Sequence, residues 1–356
     1  MSRFWNERTR NLKPYVPGEQ PKETMIKLNT NENPYPPGES VLAAMRDAVN
    51  GALRLYPDPE ATELRETFAA YAGVKAENVF VGNGSDEVLS FAFDAFFPAE
   101  RPVLFPDVTY SFYPVYCAHL GLTYEPVALK DDFTIDPADY RRENGGIVIA
   151  NPNAPTGIAL SLGEIETILK ANPDSVVVID EAYVRFGAES AVALIDRYPN
   201  LLVVQTMSKS HALAGLRVGF AVGQPELIDG LNRVKNAFNS YPVDRVAQAG
   251  AIASLKDSGT IDANLNTIRA TREGVSVALR GIGFDVLPSS SNFIMIHYWN
   301  CSAKRLFDHL RKEKILVRYF NLPRIDDYLR VTIGTKDEMR TFLDTVEDFI
   351  NSLDKN

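Results

Sequence analysis

A chain of 356 residues exceeds what one ordinary hydrophobic core needs, and predicts two domains or one large α/β domain with an appendage. With 45% hydrophobic and 23% charged residues the composition is that of a globular protein, and a net charge of −9 argues against non-specific binding to nucleic acid or anionic membranes. Two cysteines, Cys117 and Cys301, exclude a disulfide framework and a cysteine metal cluster, and suit thiols in a reducing compartment.

The first residues, Met1 to Arg8, lack an apolar core of signal-peptide length, and nowhere does an apolar stretch approach the roughly 20 residues of a membrane span. A cytoplasmic protein is expected. From Asn6 to about Ser40 the chain is rich in Pro, Asn and Gly and reads as an extended arm with turns. A first helix is predicted over Val41–Gly51. Beyond Glu60, helices alternate with short aliphatic strands, predicted at Asn78–Gly82, Pro102–Phe105, Thr123–Val127, Gly146–Ala150, Val176–Asp180, Leu201–Thr206 and Arg217–Val222. Uniformly aliphatic strands such as Val176-Val177-Val178-Ile179 suit a sheet covered on both faces, so a mostly parallel sheet of about seven strands is expected. After Gly223 long amphipathic helices are predicted at Pro225–Phe238, Arg245–Lys256 and Ile261–Gly281. Short strands follow at Asn292–His297, Ile315–Arg318 and Leu329–Ile333, then a terminal helix from Lys336. The expected organisation is an arm over 1–40 that packs with a small α+β domain over 239–356, and a large α/β domain over 41–238.

Four features fall at the ends of predicted strands. Val81-Gly82-Asn83-Gly84-Ser85-Asp86-Glu87 follows a strand and opens a helix, where free N–H groups can hold a phosphate; alone, it is also an ordinary capped helix start. Asp180 ends a buried strand, where a carboxylate is costly without a cationic or hydrogen-bonding partner, although it can also cap the next helix. Asn151-Pro152-Asn153-Ala154-Pro155-Thr156-Gly157 is a rigid turn. Lys209 lies in Ser208-Lys209-Ser210-His211, after Leu201–Thr206 and eight residues before Arg217, among hydroxyls and small residues instead of acidic partners. A lysine placed at the carboxyl end of a buried strand is a candidate Schiff-base amine. Phosphate-binding turn, acid at a strand end, adjacent tyrosine, then lysine and arginine, in that order, describe a pyridoxal-phosphate site.

On these residues, and from Asn29-Thr30-Asn31-Glu32-Asn33-Pro34 to Leu329-Arg330-Val331-Thr332-Ile333-Gly334, the sequence resembles the fold-type I aminotransferases, and within them the histidinol-phosphate aminotransferases. The resemblance implies pyridoxal 5'-phosphate as cofactor, no metal, small-molecule substrates, and the fold-type I architecture of a large and a small domain. It implies Lys209 as the imine-forming lysine and proton carrier, Asp180 as partner of the pyridinium nitrogen, and Tyr183 as partner of the ring hydroxyl. Gly84, Ser85 and Asp86, with Thr206, Ser208 and Arg217, fall where the family binds the cofactor phosphate, and Tyr110 where an aromatic stacks on its ring. Tyr56 matches a tyrosine that reaches the neighbouring subunit's cofactor, which implies a homodimer. Tyr15, Asn33, Arg318 and Arg330 match the substrate side. One departure is visible: many members carry asparagine immediately before Pro-Thr-Gly, and here that residue is Ala154. Either a rearranged turn lets Asn153 serve the ring hydroxyl, or Tyr183 serves it without an asparagine.

The implied reaction is transamination between histidinol phosphate and 2-oxoglutarate in histidine biosynthesis. An aromatic amino-acid aminotransferase or a threonine-phosphate decarboxylase of the same fold is the nearest alternative, and a non-catalytic cofactor-binding regulatory protein the alternative from another class.

Overall fold

The computed structural model describes residues 2–353. The outer ends of the expected arm and small domain, Met1 and Asp354 to Asn356, lie outside the described residues.

The arm carries a short helix α1 (Glu7–Asn11) and a two-residue strand β1 (Ile26–Lys27), and leads into α2 (Glu39–Ala48) and α3 (Thr62–Ala72). Then come β2 (Val79–Gly82), α4 (Gly84–Phe96), β3 (Val103–Pro106), α5 (Tyr113–Leu120), β4 (Tyr124–Val127), β5 (Gly146–Ala150) and α6 (Leu162–Ala171). The large sheet is completed by β6 (Val177–Asp180), β7 (Leu201–Thr206) and β8 (Gly219–Gly223).

The seven strands run in the order β2-β8-β7-β6-β5-β3-β4, and only β8 is antiparallel to its neighbours. Alternation along the central strands explains the layering. Ile147, Ile149, Val177, Ile179, Leu201 and Val203 enter one core cluster, while Val148, Ala150, Val178, Leu202 and Val204 enter the cluster on the opposite face. The unbroken aliphatic runs within these strands therefore report a sheet with helices on both sides, as the sequence led us to expect.

Helix α4 packs Val88, Leu89, Ala92 and Phe93 into one face, at the spacing a helical stripe requires. Helix α6 is set by a capping box in which Ser161 and Glu164 satisfy each other's backbone N–H.

Beyond β8 lie α7 (Pro225–Phe238), α8 (Arg245–Lys256) and the long α9 (Ser258–Gly281). A second body follows with β9 (Asp285–Val286), β10 (Phe293–His297), α10 (Ala303–Lys312), β11 (Ile315–Leu316), β12 (Arg318–Tyr319), β13 (Leu329–Thr332) and α11 (Lys336–Leu353). Its sheet has the order β12-β13-β10-β9 and is antiparallel, and β1 of the arm pairs in parallel with β11. The arm thus packs with the small body.

The boundary between the bodies differs from the sequence expectation of 238/239. Val243, just before α8, and Ala247, Ala251 and Leu255 of α8 join the large-body core, whereas Ile261, Leu265 and Ile268 of α9 join the small-body core. The small body's own packing therefore begins with α9. No helix among the described residues is long and apolar enough to cross a membrane.

Candidate active site

The carboxyl ends of β3, β5, β6 and β7 point into one cavity, where an open α/β sheet exposes its ligand-binding crevice. Its walls include Ser85 and Asp86 from the start of α4, Tyr110 after β3, Asp180 ending β6, Thr206 ending β7, then Ser208, Lys209 and Arg217. The arm closes it with Tyr15 and Asn29–Asn31, and the small body with Arg318 and Arg330. Residues up to 315 positions apart in sequence thus meet (Tyr15 and Arg330). Four cations and two carboxylates line it, an excess suited to anionic ligands.

Lys209 Nζ donates to the carbonyl oxygen of Thr30 at 3.0 Å and lies 5.9 Å from the centre of the Tyr183 ring. Burial, with repulsion from Arg330, lowers its pKa to about 8, so a useful share of the amine is neutral near neutral pH. Asp180 is 5% exposed and is pushed the other way, up to about 6 by burial. Hydrogen bonds from the Tyr113 hydroxyl (2.9 Å, to Oδ2) and the Ala182 backbone N–H (3.2 Å, to Oδ1) restrain that rise. Among the described residues no cation pairs with Asp180, and a buried carboxylate with its charge unanswered is what a protonated ring nitrogen would complete.

At the other end, the backbone forms a close cradle. Gly84, at φ 80°, opens α4, and a Cβ on Gly219 would lie 2.4 Å from the Gly84 carbonyl carbon and 2.5 Å from Ser85 N. Among the described residues no side chain caps this helix N-terminus, so its N–H groups remain for an anion. Thr206 Oγ1 and Ser208 Oγ lie 3.0 Å apart beside it, and Arg217 reaches Ser208 Oγ at 3.5 Å and Asp86 Oδ2 at 3.2 Å. Asp86 also accepts from the Tyr110 hydroxyl at 2.9 Å. Its carboxylate therefore orients Arg217 and Tyr110.

The third region is cationic and aromatic. Arg330 is held by Phe293 and Phe320, with its guanidinium 5.2 and 5.5 Å from their ring centres, and donates to Asn29 O at 2.8 Å. Its buried Nε has no hydrogen-bond partner among the described residues, and burial lowers its pKa from the usual arginine value. Arg318 stacks on Phe320, and Tyr15 packs on Phe112 at 4.8 Å between rings. Burial raises the Tyr15 phenol while Arg318 and Arg330 pull it down.

Two residues expected in this cavity, Asn153 and Asn33, sit elsewhere, and Tyr56, expected to serve the neighbouring subunit, lies outside it. Asn153 does not line the cavity: its amide nitrogen donates to Val108 O and Thr156 Oγ1, and its oxygen accepts from Thr109 Oγ1. Ala154, not Asn153, faces the cavity, as alternation along the chain requires. Asn33 turns to the backbone instead of the substrate side, donating to Lys209 O at 3.0 Å and accepting from Tyr35 N. Tyr56 is 76% exposed, stacks on Tyr241 at 4.6 Å, and does not reach the cavity of its own chain. Conversely, Tyr113 and Asn31 touch site residues that the sequence reading singled out, and were not themselves singled out. Among the described residues no cluster of His, Cys, Asp and Glu is arranged to hold a metal.

Residues 23–346 match the family model for aminotransferase class I and II. The histidinol-phosphate aminotransferase 1 of Hydrogenovibrio crunogenus is 53% identical over 353 residues, covering 99% of each chain. Histidinol-phosphate aminotransferase 2 of Gluconobacter oxydans is 55% identical over 352 residues, again covering 99% of each. Among solved structures, histidinol-phosphate aminotransferase from Sinorhizobium meliloti in complex with pyridoxal-5'-phosphate superimposes with a TM-score of 0.89 at 25% identity, covering 99% of both chains. The chain belongs to the class I and II aminotransferase family.

Proposed function

We propose that this protein uses pyridoxal 5'-phosphate to exchange an amino group between L-histidinol phosphate and 2-oxoglutarate, giving imidazole acetol phosphate and L-glutamate in histidine biosynthesis. The observation that carries the reading is one cavity holding Lys209, Asp180 and an uncapped helix start at one side and two arginines at the other, in a chain whose full-length relatives are histidinol-phosphate aminotransferases.

The donor set fits the cofactor. Lys209 would hold it covalently, Asp180 would face its ring nitrogen, and Tyr183 its ring hydroxyl. Tyr110 would lie against the ring. The start of α4 with Ser85, Thr206, Ser208 and Arg217 would take the phosphate. When bound, pyridoxal phosphate supplies an electron sink for a carbon acid next to the amine.

The chain's own residues do the rest. Lys209, with its amine near 8, is matched to taking and returning a proton near neutral pH. Asp180, buried and ionised, sustains positive charge on a ring nitrogen. Arg330 and Arg318 clamp the anionic end of either substrate, since a guanidinium pairs with a carboxylate and a phosphate alike. Tyr15, on the arm, adds a hydroxyl to that clamp.

The same proposal includes a homodimer. Arg217 and Asp86 keep 44% and 42% of their side chains exposed, so the phosphate end opens outward within one chain. Tyr56 and Tyr241 form an exposed stacked pair, with Leu53, Leu55 and Phe238 also exposed nearby in sequence. A second copy that covers this apolar ledge would bring its Tyr56 to the open phosphate end. With both cysteines free, we read the enzyme as cytoplasmic.

Purified holoenzyme assayed with histidinol phosphate, phenylalanine and threonine phosphate decides the substrate. Histidinol phosphate with 2-oxoglutarate is expected to give the highest kcat/KM. Its failure to react would remove the substrate assignment, and release of carbon dioxide from threonine phosphate would establish the decarboxylase instead. Sedimentation at micromolar concentration is expected to give twice the chain mass.

A further inference from the structure

Ala154 leaves the cavity without an amide where many aminotransferases place one, and Asn153 is committed elsewhere. The amide that does face Tyr183 comes from the arm. Asn31 Nδ2 donates to Tyr183 Oη at 2.9 Å. Asn31 is 1% exposed and lines the cavity.

The direction of this bond follows from counting protons. Asn31's backbone N–H donates to Thr332 Oγ1 at 3.0 Å, so the Thr332 hydroxyl is an acceptor there and its single proton must go elsewhere. Asn31 Oδ1 lies 3.0 Å away and takes it. The amide oxygen is thereby fixed on Thr332 and the amide nitrogen on Tyr183. Tyr183 Oη then accepts from Asn31 on one lone pair, and its own proton is left to point away from Asn31. The backbone supports the arrangement: Asn31 sits at φ 57°, a left-handed conformation that asparagine tolerates, and its carbonyl accepts from the buried Asn292 amide at 3.0 Å.

We infer that Asn31, oriented by Thr332, is a positioning residue that directs the Tyr183 hydroxyl proton into the cavity, so that Tyr183 serves as the hydrogen-bond donor to the cofactor's ring oxygen in a site that lacks an asparagine at position 154. The inference rests on the reading of Tyr183 given under Proposed function. It answers the alternative left open by Ala154: the turn does not supply Asn153, and Tyr183 is instead backed by an amide from a distant segment of the same chain. Asn31 touches Tyr183 and acts through it.

The test is the pH midpoint of the visible absorption band of the lysine-bound cofactor in the holoenzyme. Donation to the ring oxygen spreads its negative charge and weakens its hold on the neighbouring imine proton, so losing the donor raises the midpoint. Asn31→Gly keeps the left-handed backbone available and removes the amide; it is expected to raise the midpoint by about half to one unit. Thr332→Val, which keeps shape and removes the hydroxyl, is expected to shift it the same way, and Thr332→Ser to restore the wild-type value. Tyr183→Phe sets the full shift. The double variant of Asn31→Gly and Tyr183→Phe is expected to match Tyr183→Phe alone, because a residue that acts through another adds nothing once that other is gone. A midpoint unchanged within about 0.2 unit in both Asn31→Gly and Thr332→Val, with Tyr183→Phe shifted, overturns the inference and spares the reading of Tyr183. An unchanged Tyr183→Phe overturns both. Full additivity in the double variant overturns the proposed route through Tyr183.

Discussion

The hydroxyl of Tyr113 donates to Asp180 Oδ2 at 2.9 Å, joining two buried side chains 67 residues apart. A donor to the ionised carboxylate lowers its pKa, and burial raises it; the balance stands at about 6. Tyr113→Phe removes the donor and keeps the ring, so the carboxylate should protonate at higher pH. In wild-type apoprotein, cofactor affinity is expected to weaken as pH falls through about 6, and in Tyr113→Phe that midpoint should rise by about one unit. Equilibrium titration of apoprotein with pyridoxal phosphate across pH reads it, and coincident profiles for the two proteins would refute it.

Lys209 costs stability in the absence of cofactor. Its pKa is about 8 in the fold, against about 10.4 for an unperturbed lysine. Between those values the unfolded chain holds a proton that the folded chain has lost, so the lysine's penalty is full below pH 8 and fades as pH rises towards 10.4. Lys209→Met apoprotein is therefore expected to melt higher than wild type at pH 7, by roughly 2–4 °C, with the gap closing at alkaline pH. The same variant should lose essentially all transamination. Calorimetric scans at pH 7 and 9.5 check the sign; a gap that widens with pH contradicts it.

Gly219 tests the phosphate cradle. Its backbone does not need glycine for φ, yet an added Cβ would meet backbone atoms of Gly84 and Ser85 closer than 3.0 Å. Backbone cannot rotate aside as a side chain can, so Gly219→Ala should push the start of α4 away from Ser208 and Arg217. Cofactor affinity is expected to fall about 10- to 100-fold, which is about 1.4–2.7 kcal/mol. Far-ultraviolet circular dichroism should stay near wild type. Unchanged affinity in a folded variant would mean that the helix start does not hold the phosphate.

Arg330 and Arg318 separate substrate from cofactor. Arg330→Lys keeps a charge but loses the planar fork that stacks between Phe293 and Phe320. We expect kcat/KM to fall at least about 100-fold for histidinol phosphate and for glutamate, with cofactor affinity changed less than about threefold. Steady-state kinetics with each substrate, beside a cofactor titration, reads both. A loss confined to cofactor binding would move Arg330 out of the substrate clamp.

What was legible in the sequence was whatever depended on a local run. Val176 to Asp180 and Leu201 to Thr206 are apolar enough to be read as buried strands, and once they are strands, Asp180, Thr206 and Lys209 fall at one edge of the sheet. What depended on long-range pairing was not legible. Three asparagines, Asn31, Asn33 and Asn153, look equivalent as letters, and the partners that separate them are Tyr183, the Lys209 carbonyl and Thr109. Tyr113 lies in an aromatic stretch that reads as packing, and nothing local announces that its hydroxyl reaches Asp180. Helix α8 is amphipathic in either domain, and its stripe does not say which core it covers.

The pairing of the arm with the end of the chain sets an order of events during synthesis. All seven strands of the large sheet are available once Gly223 has left the ribosome. Asn31, by contrast, has its anchors at Asn292 and Thr332, and β1 has its partner at Ile315–Leu316. A nascent chain can thus hold Asp180 and Lys209 at the edge of a finished sheet while the wall that faces them is still unbuilt. The cavity is completed only when nearly the last residue it needs has been made, so an interrupted chain presents a cofactor-facing edge without a closed site.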